Sequence, residues 1–95
     1  MTATKEEMIA FRDNYLEENK YLVEHFKNNS DYLRLLRERS HYPAELLYEE
    51  AKGIIEAIER GEIKESSVLV AKQYAIASLD AIKIDKVNKE LLRRK

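Results

Sequence analysis

Apolar residues recur along this chain at intervals of three and four, the period of an α-helix with one face turned inward. The pattern is clearest at Ala44, Leu47, Tyr48, Ala51, Ile54, Ile55 and Ile58. It predicts a helix with Pro43 at its first position, where a missing N–H costs nothing. Gly61 falls where a left-handed residue closes a helix, with Ile63 available to fold back. Upstream, a first helix is expected from about Lys5 to Lys27. Thr4 and Glu7 have the spacing of a capping box, hydroxyl and carboxylate each satisfying a free backbone N–H. The run "NNS" at 28–30 stops that helix, and Asn29 or Ser30 caps a short second one over Asp31–Ser40. After the break "SHYP" and the Pro43 helix, Ser66 or Ser67 caps a last helix expected to continue to about Arg93. Its apolar stripe changes face near Ile84-Asp85, a place where it can break. The chain therefore reads as all-α: one domain over 1–95, a small antiparallel bundle of three long helices and one short one.

Two departures from the pattern stand out. On the first helix, Met8, Tyr15 and Leu22 form one apolar row and Ile9, Leu16 and Val23 a second. Between them runs the row Arg12, Asn19, Phe26, so two polar side chains interrupt the face. A buried polar group left unpaired costs about 1–3 kcal/mol. Arg12 and Asn19 are thus expected to form a paired layer, Arg12 meeting a carboxylate and Asn19 fixing register. The alternative is a polar groove that receives a ligand. On the last helix, "VLVAKQYAIASLDAI" is apolar at 11 of 15 positions. Val68, Ala71, Ala75, Leu79 and Ile82 make one stripe, and Val70, Tyr74, Ala77, Ala81 and Ile84 another on nearly the opposite side. A helix apolar all round is buried all round. Either it is the central element, or the second stripe is a homodimer interface.

Composition sharpens this picture by exclusion. With 2 Gly and 1 Pro there is little material for hairpin turns, and no cysteine for disulfides or thiolate chemistry. Residues 1–11 lack the layout of a signal peptide, and residues 68–82 are too short and too interrupted to span a bilayer. A cytoplasmic protein is expected. The formal net charge of −1 selects no partner by global field. Glu38-x-x-His41 has di-iron spacing, but it occurs once, on the shortest helix, so no metal is expected. Gly53 and Gly61 make no phosphate loop, and no nucleophile has a base and an orienting group. No cofactor, small-molecule substrate or catalysis is expected.

What remains is surface. Tyr21 lies outside the apolar arc of its helix, one turn before His25, and either packs under the short second helix or stands at an interface. Arg34 and Arg37 on the second helix are suited to pairing carboxylates. These four residues form the candidate partner-binding face of a small interaction protein: an adaptor, inhibitor, immunity-type or accessory subunit. In size and helical layout alone the chain is similar to small bacteriocin immunity proteins and phage-encoded inhibitors; no motif carries that likeness. A second reading is a nucleic-acid-associated regulator using Arg34, Arg37, Arg39 and the tail 83–95, which holds six basic and two acidic residues. Against it, residues 43–60 carry a net charge of −3 where a recognition helix should be basic. A third reading is a structural homo-oligomer.

Overall fold

The computed structural model describes residues 3–82. Among them are five α-helices and no strand: α1 (Lys5–Glu18), α2 (Lys20–Phe26), α3 (Ser30–Arg39), α4 (Ala44–Glu59) and α5 (Val68–Asp80). A 3-10 turn at Glu65–Ser67 leads into α5. No described helix is long and apolar enough to cross a membrane.

The ends of these helices follow local chemistry. Thr4 Oγ1 accepts the N–H of Glu7 at 3.1 Å, and its hydroxyl donates to the Glu7 carboxylate, also at 3.1 Å. The carboxylate thus braces the capping hydroxyl rather than reaching a backbone N–H. Asn29, not Ser30, caps α3: its Oδ1 accepts from the N–H groups of Asp31 and Tyr32 at 2.8 and 3.3 Å. Pro43 stands one residue earlier than expected, in the N-cap position. At the far end of α4, Gly61 adopts φ +72°. Its N–H donates to Ile58 O at 3.1 Å and that of Glu62 to Ala57 O at 3.0 Å, the two bonds of a Schellman closure. Ser66 and Ser67 lie in the 3-10 turn, and neither side chain caps α5.

Two expectations about helix length are overturned. The first helix is not continuous to Lys27; it breaks at Asn19, whose backbone leaves the helical region at φ −114°, ψ 29°. The Asn19 amide Nδ2 donates to Tyr15 O at 2.9 Å, the carbonyl that also takes its own N–H. This side-chain bond to the preceding turn offers the backbone an alternative to the regular ladder, and the chain bends there. Likewise α5 ends at Asp80, far short of Arg93. The expected break at Ile84-Asp85, and Ile84 itself, lie outside the described residues.

α5 is the hub of the molecule. One buried cluster joins Met8, Leu47, Tyr48, Ala51 and Ile55 to Ala75, Leu79 and Ile82. A second joins Phe26 and Tyr32 to Ile76 and Ala77. Residues 75–79 are therefore covered by α1 and α4 on one side and by α2 and α3 on the other. Alanines at 75, 77 and 81 suit this crowding, because a small side chain lets neighbouring backbones approach. Phe11 meets Tyr48 edge-on at 5.3 Å, and Phe26 stacks on Tyr32 at 5.8 Å.

Candidate functional site

The polar interior is built from residues that the hydrophobic pattern leaves unmarked. Ser78 is wholly buried near the C-terminal end of α5. Arg39, the last residue of α3, donates from Nε to Ser78 Oγ at 2.9 Å and from Nη2 to Glu50 Oε1 of α4 at 2.6 Å. Ser78 Oγ in turn donates to Glu50 Oε1 at 3.2 Å, closing a triangle. The guanidinium also lies 5.3 Å from the centroid of the Tyr74 ring. Its side chain is 13% exposed, and the partner carboxylate reaches solvent at 33%. One helix from each of three directions is thus pinned to the others by one cation. Close by, the Tyr32 hydroxyl donates to Asp80 Oδ2 at 2.7 Å. Burial of this ring, then the hydrogen bond to Asp80 and its charge, push the Tyr32 phenol far above the usual tyrosine range. Among the described residues no buried side-chain nitrogen or oxygen lacks a partner.

Arg12 and Asn19 are both half-buried and paired. The partner of Arg12 is not a carboxylate from a facing helix. Nη1 donates to the carbonyl of Ile82 at 3.1 Å, and Nε to neighbouring Asp13 at 3.0 Å. A cation against the carbonyls just past α5 complements the negative end of that helix. Asn19 bonds within its own helix and marks its break, so it does not set register against another helix.

The four residues of the candidate partner face are all exposed. Tyr21 is 82% exposed and does not pack under α3. His25, one turn on, lies 5.6 Å from the ring of Phe26. Arg34 pairs loosely with Asp31 at 3.4 Å in a fully solvated position. Arg37 borders a cleft of about 400 Å³ between α3 and the C-terminal end of α5, with Leu33, Leu36, Ser40, Asp80 and Ala81. Sequence spacing identified Arg37; it could not identify Leu33 or Asp80, because the cleft exists only where α3 crosses α5.

The second stripe of α5 divides in two. Ala77 and Ala81 are buried inside this chain, which removes them from any interface between copies. Val70 and Tyr74 remain 53% and 39% exposed, joined by Leu69 at 52%. α2 and α3 cover only the C-terminal half of α5, so the stripe is a core face at one end and an open face at the other. A smaller cleft, about 210 Å³, lies where Tyr15, Glu18 and Asn19 meet Ile55, Ile58, Glu59 and Lys72. Burial, then the charges of Glu18 and Glu59, raise the Tyr15 phenol above its ordinary value.

Among the described residues no three of His, Cys, Asp and Glu are grouped so as to hold a metal ion. Among the described residues the Glu38 and His41 pair gains no further ligand. No protein-family model, curated protein or solved structure matches the chain.

Proposed function

We propose that this is a non-catalytic interaction protein that binds a protein partner through the outer surface of α2 and α3. The observation that carries the reading is the α3–α5 cleft. Its floor is apolar, supplied by Leu36 and Ala81, and its rim holds Leu33 beside Arg37. An exposed leucine next to an arginine over an apolar recess is the arrangement that anchors a partner's apolar side chain while pairing a flanking carboxylate. Arg34 extends the basic rim by one turn, and Tyr21 and His25 add an aromatic edge on α2. The buried polar side-chain atoms among the described residues are all hydrogen-bonded, which fits a structural use of the interior.

Burial of Arg39 weighs against the nucleic-acid reading. That reading needs three arginines along α3, and one of them is held by Ser78 and Glu50. The test is affinity capture from the native host with the wild-type chain and with a Leu33→Asp/Arg37→Glu variant. A protein recovered in stoichiometric amount by the first and lost with the second supports the proposal. Recovery equal in both overturns it. Salt-sensitive binding to random duplex DNA would replace it with the alternative.

A further inference from the structure

The α3–α5 cleft carries two opposite charges that do not answer each other. Leu33, Leu36, Arg37 and Ser40 follow one another at steps of three, one and three residues, so the α3 wall is one straight stripe about 10 Å long. Asp80 and Ala81, at the end of α5, supply the other wall. Arg34 holds Asp31 and Arg39 holds Glu50, but Arg37 has no carboxylate within ion-pair distance among the described residues. Asp80 gives one oxygen to the Tyr32 hydroxyl, and its charge meets no cation among the described residues. That bond sets Asp80 toward the first turn of α3, whereas Arg37 stands more than one turn farther along. The cleft thus has a negative end, reinforced by the C-terminal carbonyls of α5, and a positive end, with Leu33 and Leu36 along its wall.

Taking this cleft as the partner site proposed above, we infer that its occupant is an amphipathic helix of the partner. On that helix an aliphatic residue is flanked by a carboxylate one turn to one side and by an ammonium or guanidinium one turn to the other. A helix suits the walls because both are helical. Neither α3 nor α5 offers a sheet edge, so an extended segment finds no backbone ladder to join. A helix satisfies its own backbone and projects side chains at the spacing of the α3 stripe. Its acid and base, seven residues apart, span about 10 Å, the length of that stripe. Both signs are required. A purely acidic helix meets Asp80 and the α5 carbonyls, and a purely basic one meets Arg37. At the exposed rim the two pairs choose the partner and its direction more than they tighten it.

The test is selection against the full chain from a display library of helix-forming, alanine-rich peptides randomised along one face. Affinities of the recovered peptides are read by fluorescence anisotropy. Peptides with an aliphatic residue between an acid and a base are expected, and they should gain helical circular dichroism on binding. Arg37→Gln and Asp80→Asn should each weaken them about two- to fivefold. Asparagine keeps an oxygen for the Tyr32 hydroxyl, so the second variant retains its fold. Changing the base of the peptide to glutamine should weaken binding to the wild-type chain by the same factor and leave binding to the Asp80→Asn chain unaltered. Peptides that lose affinity with Leu33→Asp but are indifferent to Asp80→Asn overturn the inference and leave the cleft as the partner site. So do peptides that bind without gaining helix. Peptides indifferent to Leu33→Asp and Arg37→Gln alike overturn both readings. Recovery of no peptide rejects the helical occupant, and affinity capture then decides the cleft alone.

Discussion

Removing one oxygen from Tyr32 separates two effects that ordinarily arrive together. In the folded chain this hydroxyl is buried and donates to Asp80 at 2.7 Å. Tyr32→Phe deletes the bond while leaving the ring stacked on Phe26. Asp80 is exposed and regains water, so the loss near pH 7 is expected at about 1.5 kcal/mol, the low end for a bond to a charged group. The second effect has the opposite sign. Burial and Asp80 hold the folded phenol protonated far above its unfolded value. Its contribution to stability is thus fully present below about pH 10, the unfolded pKa, and is lost as pH rises beyond it. The unfolded chain then releases a proton that the folded chain keeps, which costs about 1.4 kcal/mol per pH unit. Phenylalanine has no such proton. Wild type and variant should therefore converge, and their stabilities should cross near roughly pH 11. Urea unfolding followed by circular dichroism at half-unit steps from neutral to strongly alkaline pH measures the difference. Other alkaline effects are common to both proteins and cancel. Parallel curves across pH 10–11 would refute the account of Tyr32, because they would mean that the phenol ionises equally in both states.

Four further outcomes are expected. Gly53→Ala places a methyl group in open space on a helix surface and should stabilise dilute protein by about 0.5–1 kcal/mol in thermal melts. Arg39→Met should cost about 1–3 kcal/mol, and in a double-mutant cycle with Glu50→Gln the two losses should fall short of additive by at least ~0.5 kcal/mol. Strict additivity would show that the ion pair contributes nothing. Ala77→Leu overfills a site with no exposed surface and should cost about 1–3 kcal/mol, whereas Val70→Leu on the same stripe should change unfolding by under about 0.5 kcal/mol. Thr4→Ala removes the acceptor for the Glu7 N–H and should lower stability by about 1 kcal/mol, read as a lower melting temperature.

Much of the helical layout was legible because it depends on near neighbours. Thr4 with Glu7, Asn29 ahead of Asp31, and Gly61 after α4 each announce a helix end by chemistry within four residues. The break at Asn19 was half-legible. Asparagine on an apolar face is an anomaly, yet nothing nearby says whether its amide turns outward to another helix or back to Tyr15 O. The Arg39–Ser78–Glu50 triangle was not legible at all. Its members lie 39, 11 and 28 residues apart, and each is ordinary where it stands. For the second stripe of α5, periodicity identified the apolar positions, but α2 and α3 decide which of them are core. Ala77 falls under those helices, and Val70, two turns earlier, does not.

The place of α5 has a consequence for how the chain is made. Both buried clusters require residues from 75 onward, and the Arg12 clamp closes on Ile82. The segment before residue 68 can bring Phe11 to Tyr48 and Phe26 to Tyr32, but the middle of both clusters is missing until α5 is made. The domain then assembles in one late event when its hub arrives, and a product halted before Ser67 is prey for proteases.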